Sequence, residues 1–215
     1  YSILSLIIFI MLNISGVRLF NSLNLSMTLI SAGGFMPMNS LDKIIQSNPQ
    51  KIVFILSLLI SMLNFFLIFN FFDKKIIARE HKEDIFLLFV ATVFILMLFS
   101  YIDTYGILNI IISVLSSLSN SGLSLINSNN NLSLYFILLT IIGGSLISNS
   151  SGVKFARIYI LLKASSAEII KLISPNSIIK KNIFNSEKMI TNDNIKISFF
   201  IFISFFLSLF ILSGI

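Results

Sequence analysis

The run from Leu134 to Lys163 begins and ends as an apolar helix, but its centre, Gly143 to Gly152, reads GGSLISNSSG. Three glycines, four serines and Asn149 thus fall where a membrane helix would cross the middle of a bilayer. In hydrocarbon, backbone groups released from a helix must find partners in protein or in a water-filled cavity. Discontinuous helices of this kind bring backbone dipoles to an ion or substrate in transporters. The plainer reading is two short helices joined by an ordinary extramembrane loop.

A membrane setting follows from composition. Of 215 residues, 56% are hydrophobic and only 11% charged, against roughly 25% charged in soluble domains. The apolar residues are also grouped into long runs, so the fold class expected is an all-α integral membrane protein. No cysteine is present, which rules out disulfides and thiolate metal sites. The single histidine, His81, sits in KKIIAREHKED and is expected to be a solvated loop residue rather than a ligand. The net charge of +6 does not suggest nucleic acid, because the basic residues are confined to particular loops. No Ser/His/Asp set, carboxylate pair in a span or phosphate-binding motif appears, which weighs against an enzyme. The chain starts at Tyr1 and stops at Ile215 within an apolar run. We therefore expect a piece of a longer protein, in which no signal peptide can be assessed.

Along the chain, Ser2 to Leu12 is apolar but shorter than the about 20 residues a crossing needs. Phe20 to Ile30 predicts a helix of about three turns that carries Asn21, Ser22, Asn24, Ser26 and Thr28 and runs into Ser31-Ala32-Gly33-Gly34-Phe35, with Pro37 beyond. Ile52 to Phe72 predicts an unbroken span, Asp73 to Asp84 a charged linker, and Ile85 to Tyr101 a second span. Ile107 to Leu118 predicts another short helix, ending in Ser119-Asn120-Ser121-Gly122-Leu123. The broken span follows, then a polar segment from Glu168 to Asn194, then a last span from Ile197 to Leu212. The order span, short polar helix, glycine turn, span thus occurs twice, and such repetition defines an architecture. We expect repeated membrane helix–pore loop–membrane helix units around a pore. Residues 1–72 form the second repeat, 73–84 a cytoplasmic linker, 85–163 the third repeat, 164–196 a cytoplasmic segment and 197–215 the start of a fourth.

The basic residues set the expected orientation. Lys74, Lys75, Arg79 and Lys82 lie in one linker, and Lys154, Arg157, Lys163, Lys171, Lys180, Lys181 and Lys188 in the other basic segment. Both are expected inside, with the glycine turns opening from outside. Asp42, Asp103 and the Asn127–Asn131 cluster then lie on the outer side, as solvated loops or as a cation-attracting vestibule.

A dehydrated cation needs oxygens to replace its water shell, and backbone carbonyls from several loops supply them. Glycine permits the backbone angles that turn successive carbonyls to one axis, and the C-terminal end of the preceding helix adds partial negative charge. Ser31, Ala32, Gly33 and Gly34, with Ser119, Asn120, Ser121 and Gly122, are therefore the candidate ion-binding residues. A simple helix C-cap, where glycine is also favoured, is the alternative for either turn.

These motifs resemble the Trk/Ktr family of potassium transporters, whose filters read like STGGF and TTTGF. SAGGFMPMNS is similar to the second filter, with Gly34 as the filter glycine, and SNSGL to the third, with Gly122 in that place. The family's third inner helix carries a stretch like GGSAGSTAGGIKxxR, which GGSLISNSSGVKFAR matches at Gly143, Gly144, Ser145, Ser148, Gly152, Lys154 and Arg157. Ile147 and Ser151 stand where the family has glycine, and SNSGL lacks the usual threonines. The resemblance implies potassium uptake, passive or ion-coupled, through a pseudo-fourfold pore with K⁺ as the transported ion and no organic cofactor. It implies a homodimer in the bacterial inner membrane, surrounded by lipid, with a cytoplasmic nucleotide-binding regulatory subunit. It implies that Gly143–Gly152, with Asn149, Ser150, Lys154 and Arg157, forms the gate under the filter. The competing expectations are a secondary transporter whose broken helix binds another small solute, and a non-transporting membrane scaffold. Convergence of residues 31–35 with 119–123 separates them.

Overall fold

The computed structural model describes residues 2–38, 40–70, 81–101, 106–126, 130–174, 182–185 and 189–214. Among them the structure is helical, apart from one bridge between Asn182 and Met189. The helices are α1 (Ser2–Ile14), α2 (Leu19–Ser31), α3 (Asn48–Met62), α4 (Phe65–Asn70), α5 (Lys82–Tyr101), α6 (Ile107–Ser119), α7 (Asn130–Ile142), α8 (Phe155–Ile173) and α9 (Asn192–Ser213).

Local chemistry sets several boundaries. Gln50 Oε1 accepts hydrogen bonds from the Gln46 and Ser47 N–H groups ahead of α3, and Pro49 occupies its first turn, where a missing N–H costs nothing. Thr191 caps α9 by accepting from the Asn194 N–H. Two helices, α5 and α9, are long and apolar enough to cross a membrane. Most of their apolar side chains point outward: Phe89, Leu96, Phe200 and Phe210 are exposed.

The core runs between α3 and α6, which pack side by side through Phe54, Leu58, Met62, Ile110, Val114 and Leu118. Helix α1 lies on α2 and α3, while α7 covers α6. Polar residues are folded inward. In α2, Asn21, Ser22, Ser26 and Thr28 are buried while Leu19, Phe20, Leu23 and Met27 are exposed. The serines remain satisfied because their hydroxyls return to the backbone one turn earlier, Ser22 to Leu19 and Ser26 to Leu23, a pattern available within any helix. At 13 residues each, α2 and α6 are about 20 Å long, well short of a bilayer core of about 30 Å.

An offset of 88 residues carries α2 onto α6, and Gly34 onto Gly122. A short helix followed by a glycine turn therefore occurs twice at this spacing.

Three expectations need correction. The span expected over Ile52–Phe72 is interrupted: α3 ends at Met62, Leu63 is extended (ψ 166°), and α4 restarts at Phe65. Asn64 marks the restart locally, its side-chain oxygen accepting from the Phe66 N–H at 3.0 Å as an N-cap does; the other freed backbone groups are met by distant residues, as described below. His81 is not solvated but 3% exposed, and its Nδ1 lies 3.1 Å from Asp84 Oδ2. The third correction concerns helix limits: α5 starts at Lys82, so that Asp84 is in its first turn, and α8 continues through Glu168 to Ile173. Residues 71–80, Asp103, residues 127–129, 175–181 and 186–188 lie outside the described residues. Lys74, Lys75, Arg79, Lys180, Lys181, Lys188 and residues 127–129 of the asparagine cluster are among these.

Candidate functional site

Both glycine turns are built alike. Helix α2 ends at Ala32 in the left-handed region (φ 51°), and Gly34 follows at φ 71°. Helix α6 ends at Asn120 (φ 56°), and Gly122 follows at φ 69°. The intervening Gly33 and Ser121 stay out of that region. Glycine is the residue that adopts positive φ without steric penalty, and asparagine tolerates it better than most. Orphan carbonyls at the helix ends are satisfied in the same register: Thr28 O accepts from the Ala32 and Gly33 N–H groups, and Ser116 O from those of Asn120 and Ser121.

A second pair of matching residues braces the turns. The Thr28 hydroxyl donates to Phe35 O at 2.7 Å, and the Ser116 hydroxyl accepts from the Leu123 N–H at 2.8 Å. Thr28 and Ser116 are themselves 88 residues apart, as are Phe35 and Leu123. Sequence reasoning missed both; the available signal was a hydroxyl residue four positions before each left-handed cap. In the second turn, Ser119 and Ser121 are buried and hydrogen-bonded to each other and to Ser116. Their hydroxyls shape the turn instead of facing outward. Ser31, Gly33, Gly34 and Gly122 are exposed.

The turns meet. A Cβ built on Gly122 would lie 3.7 Å from Gly34 Cα, and one built on Gly34 would lie 3.4 Å from the Ser121 carbonyl oxygen.

The loop between α7 and α8 closes on itself at its neck. Val153 N–H donates to Ile141 O, and Phe155 N–H to Gly144 O. Its glycines are there because the backbone is too close for a side chain. A Cβ on Gly143 would stand 2.7 Å from Ser151 O, and one on Gly144 would stand 2.6 Å from Met62 O. A Cβ on Gly152 would stand 2.8 Å from both Thr140 O and Asn120 Nδ2. Asn120 in turn donates to Thr140 O, so the loop neck and the second glycine turn share one packing unit.

Inside the loop, Ser148 and Ser150 share a hydroxyl–hydroxyl hydrogen bond of 2.7 Å, and the Ser150 hydroxyl accepts from the Gly144 N–H. Lys154 is half-buried, and its ammonium donates to Ser148 O at 3.1 Å and to Ser150 O. Its backbone has a φ of 78°, a conformation that persists in a non-glycine residue only when the surroundings impose it. Arg157 donates to Val153 O at 3.3 Å. Ser145 is fully buried, whereas Leu146, Ile147 and Ser151 are exposed. Asn149 and Ser148 lie with Ser31, Ser2, Ser5 and Met27 around an open cavity of about 580 Å³. The structure thus brings the first turn, the second turn and the loop together.

The loop also seats on the break between α3 and α4. Ser145 N–H donates to Met62 O at 3.0 Å, and Phe65 N–H to Ile147 O at 3.1 Å. Two acidic side chains of α5 complete the joint. Asp84 Oδ1 accepts from the Asn64 N–H at 2.9 Å, and Glu83 Oε1 from the Leu146 N–H at 2.6 Å. Among the described residues no group of three or more His, Asp or Glu side chains is arranged to hold a metal.

No protein-family model matches the chain. The crystal structure of the potassium transporter TrkH from Vibrio parahaemolyticus superposes on 97% of it with a TM-score of 0.81, at 18% sequence identity. The chain has the TrkH fold. It covers 47% of that TrkH chain. It is also 30% identical over 188 residues to an uncharacterized cation transporter of Methanocaldococcus jannaschii, a match spanning 82% of this chain and 36% of that protein. The resemblance seen in the glycine motifs thus extends to the TrkH fold and to a cation transporter. Both proteins are described as transporters.

Proposed function

We propose that this chain carries two pore-lining repeats of a potassium-uptake transporter, residues 1–72 as the second and 85–163 as the third, with 197–215 opening a fourth. The observation that carries this reading is the meeting of two turns with the same alternating backbone, the Ser121 carbonyl oxygen lying beside Gly34. Carbonyls from such turns replace the hydration shell of K⁺, and the C-terminal ends of α2 and α6 contribute negative potential at the same place. The loop from Gly143 to Gly152 acts as the gate. It has little intrinsic helix preference, and movement of such a segment is a recognised way to switch a pathway.

In the complete protein, further repeats close the pore around the exposed faces of Gly34 and Gly122. The assembly is a homodimer in the bacterial inner membrane, regulated by a cytoplasmic nucleotide-binding subunit, with transport passive or coupled to a second ion. A solute carrier using only the broken helix has no need for two glycine turns to meet, which favours the pore reading. Expression of the full-length protein in a potassium-uptake-deficient bacterium tests it. Growth at low potassium and uptake that prefers K⁺ over Na⁺ are expected, while normal membrane expression without either would overturn the reading.

A further inference from the structure

We propose that Glu83 is the positioning residue that holds the loop between α7 and α8 in its seated position. It acts beside Asp84 as a two-carboxylate clasp joining the two helix breaks.

Breaking a helix frees N–H and C=O groups that cost free energy unless paired. The two breaks in this fold satisfy each other. Met62 O and Phe65 N–H, at the first break, pair with Ser145 N–H and Ile147 O of the loop. Two further donors at this joint are the Asn64 N–H of the first break and the Leu146 N–H of the loop. Asp84 takes the first and Glu83 the second. Consecutive helix residues point about 100° apart, so neighbouring carboxylates on one turn of α5 reach two different loops. Asp84 is fixed from behind by His81, whose Nε2 meets Asn70 Nδ2 of α4 at 3.2 Å.

The two carboxylates therefore have separate tasks. Asp84 binds the break between α3 and α4 and keeps that contact if the loop lifts. Glu83 binds the loop itself, and lifting the loop breaks three joints: Ser145 to Met62, Phe65 to Ile147, and Leu146 to Glu83. Hydrogen bonds to a charged group are the stronger kind. Loss of Glu83 therefore shifts the loop toward its released position. The consequence for ion flux rests on the transport reading above; the effect on the loop does not.

This chain has no cysteine, so Ile147→Cys, at a half-exposed position of the loop, supplies a reporter in a full-length protein freed of other cysteines. Its rate of reaction with a water-soluble maleimide is measured in proteoliposomes. Glu83→Ala should raise the rate about ten-fold, as expected for losing one charge-assisted bond. Glu83→Gln keeps a carbonyl acceptor without the charge and should raise the rate by about three-fold, between the parent and the alanine variant. Glu83→Asp, one methylene short, should resemble Glu83→Ala and serves if the alanine variant does not fold. Unchanged rates in both the alanine and aspartate variants would overturn the clasp, as would a glutamine variant as fast as alanine. Potassium uptake is recorded on the same vesicles. A parent protein without uptake contradicts the transport reading alone, because the maleimide rates still decide the clasp.

Discussion

Gly34 and Gly122 stand backbone to backbone: a Cβ added to Gly122 would be 3.7 Å from Gly34 Cα, and both residues have φ near 70°. At these positions space is not the constraint, since 3.7 Å is ordinary contact. Backbone angle is. Alanine at either site must adopt a left-handed conformation, at about 1–2 kcal/mol, or move the carbonyls of the turn. In the full-length transporter, Gly122→Ala is expected to reduce the preference for K⁺ over Na⁺ with expression retained, read from competitive uptake of the two ions.

Gly144 and Gly152 carry a different constraint. Their missing Cβ atoms would lie 2.6–2.8 Å from backbone oxygens of Met62 and Thr140, which cannot move like a flexible side chain. Alanine at either site should lower stability by about 2 kcal/mol, in the range typical of overpacking, and unseat the loop. Gly106, with nothing within 4 Å and a φ of −63°, is the control. Thermal unfolding in detergent should show a drop for Gly144→Ala and Gly152→Ala and almost none for Gly106→Ala.

The glycine turns were legible in the sequence because their cause is local. A short helix ending in a left-handed cap and a positive-φ glycine leaves its mark in five consecutive residues, and SAGGF and SNSGL both carry it. The glycine-serine stretch from Gly143 was legible for the same reason. The break after Met62 was not. Leu63-Asn64-Phe65 contains no glycine or proline; Asn64 caps the restart through the Phe66 N–H, but the Asn64 and Phe65 N–H groups are satisfied by Asp84 and Ile147, far away in the chain. His81 and Asp84 were misread because KKIIAREHKED has the composition of a solvated linker. Their burial comes from tertiary partners, including Asn64 and Asn70, which no local window contains.

Asp84 meets two polar partners while being 1% exposed. Asp84→Ala leaves the Asn64 N–H and the His81 ring without their acceptor, at about 1–3 kcal/mol for each buried group left unpaired. Asp84→Asn retains a carbonyl acceptor for Asn64 and should lose less. The two melting temperatures, measured on purified full-length protein, should rank wild type above Asp84→Asn above Asp84→Ala.

Lys154 holds the loop from within through Ser148 O and Ser150 O. Lys154→Ala is therefore expected to raise flux in proteoliposomes, and deletion of Leu146–Ser150 to raise it further. Selectivity should persist in both, since it is assigned to the turns at Gly34 and Gly122. Flux unchanged by the deletion would reduce the loop to a packing irregularity.

The most direct measurement is the anomalous scattering of Rb⁺, a potassium stand-in, in crystals of the full-length protein. The account predicts a peak between the turns, coordinated by backbone oxygens of residues 32–34 and 120–122. A peak confined to Ser148–Ser150 of the loop, with none between Gly34 and Gly122, would contradict it and favour a carrier that binds its cargo in the broken helix.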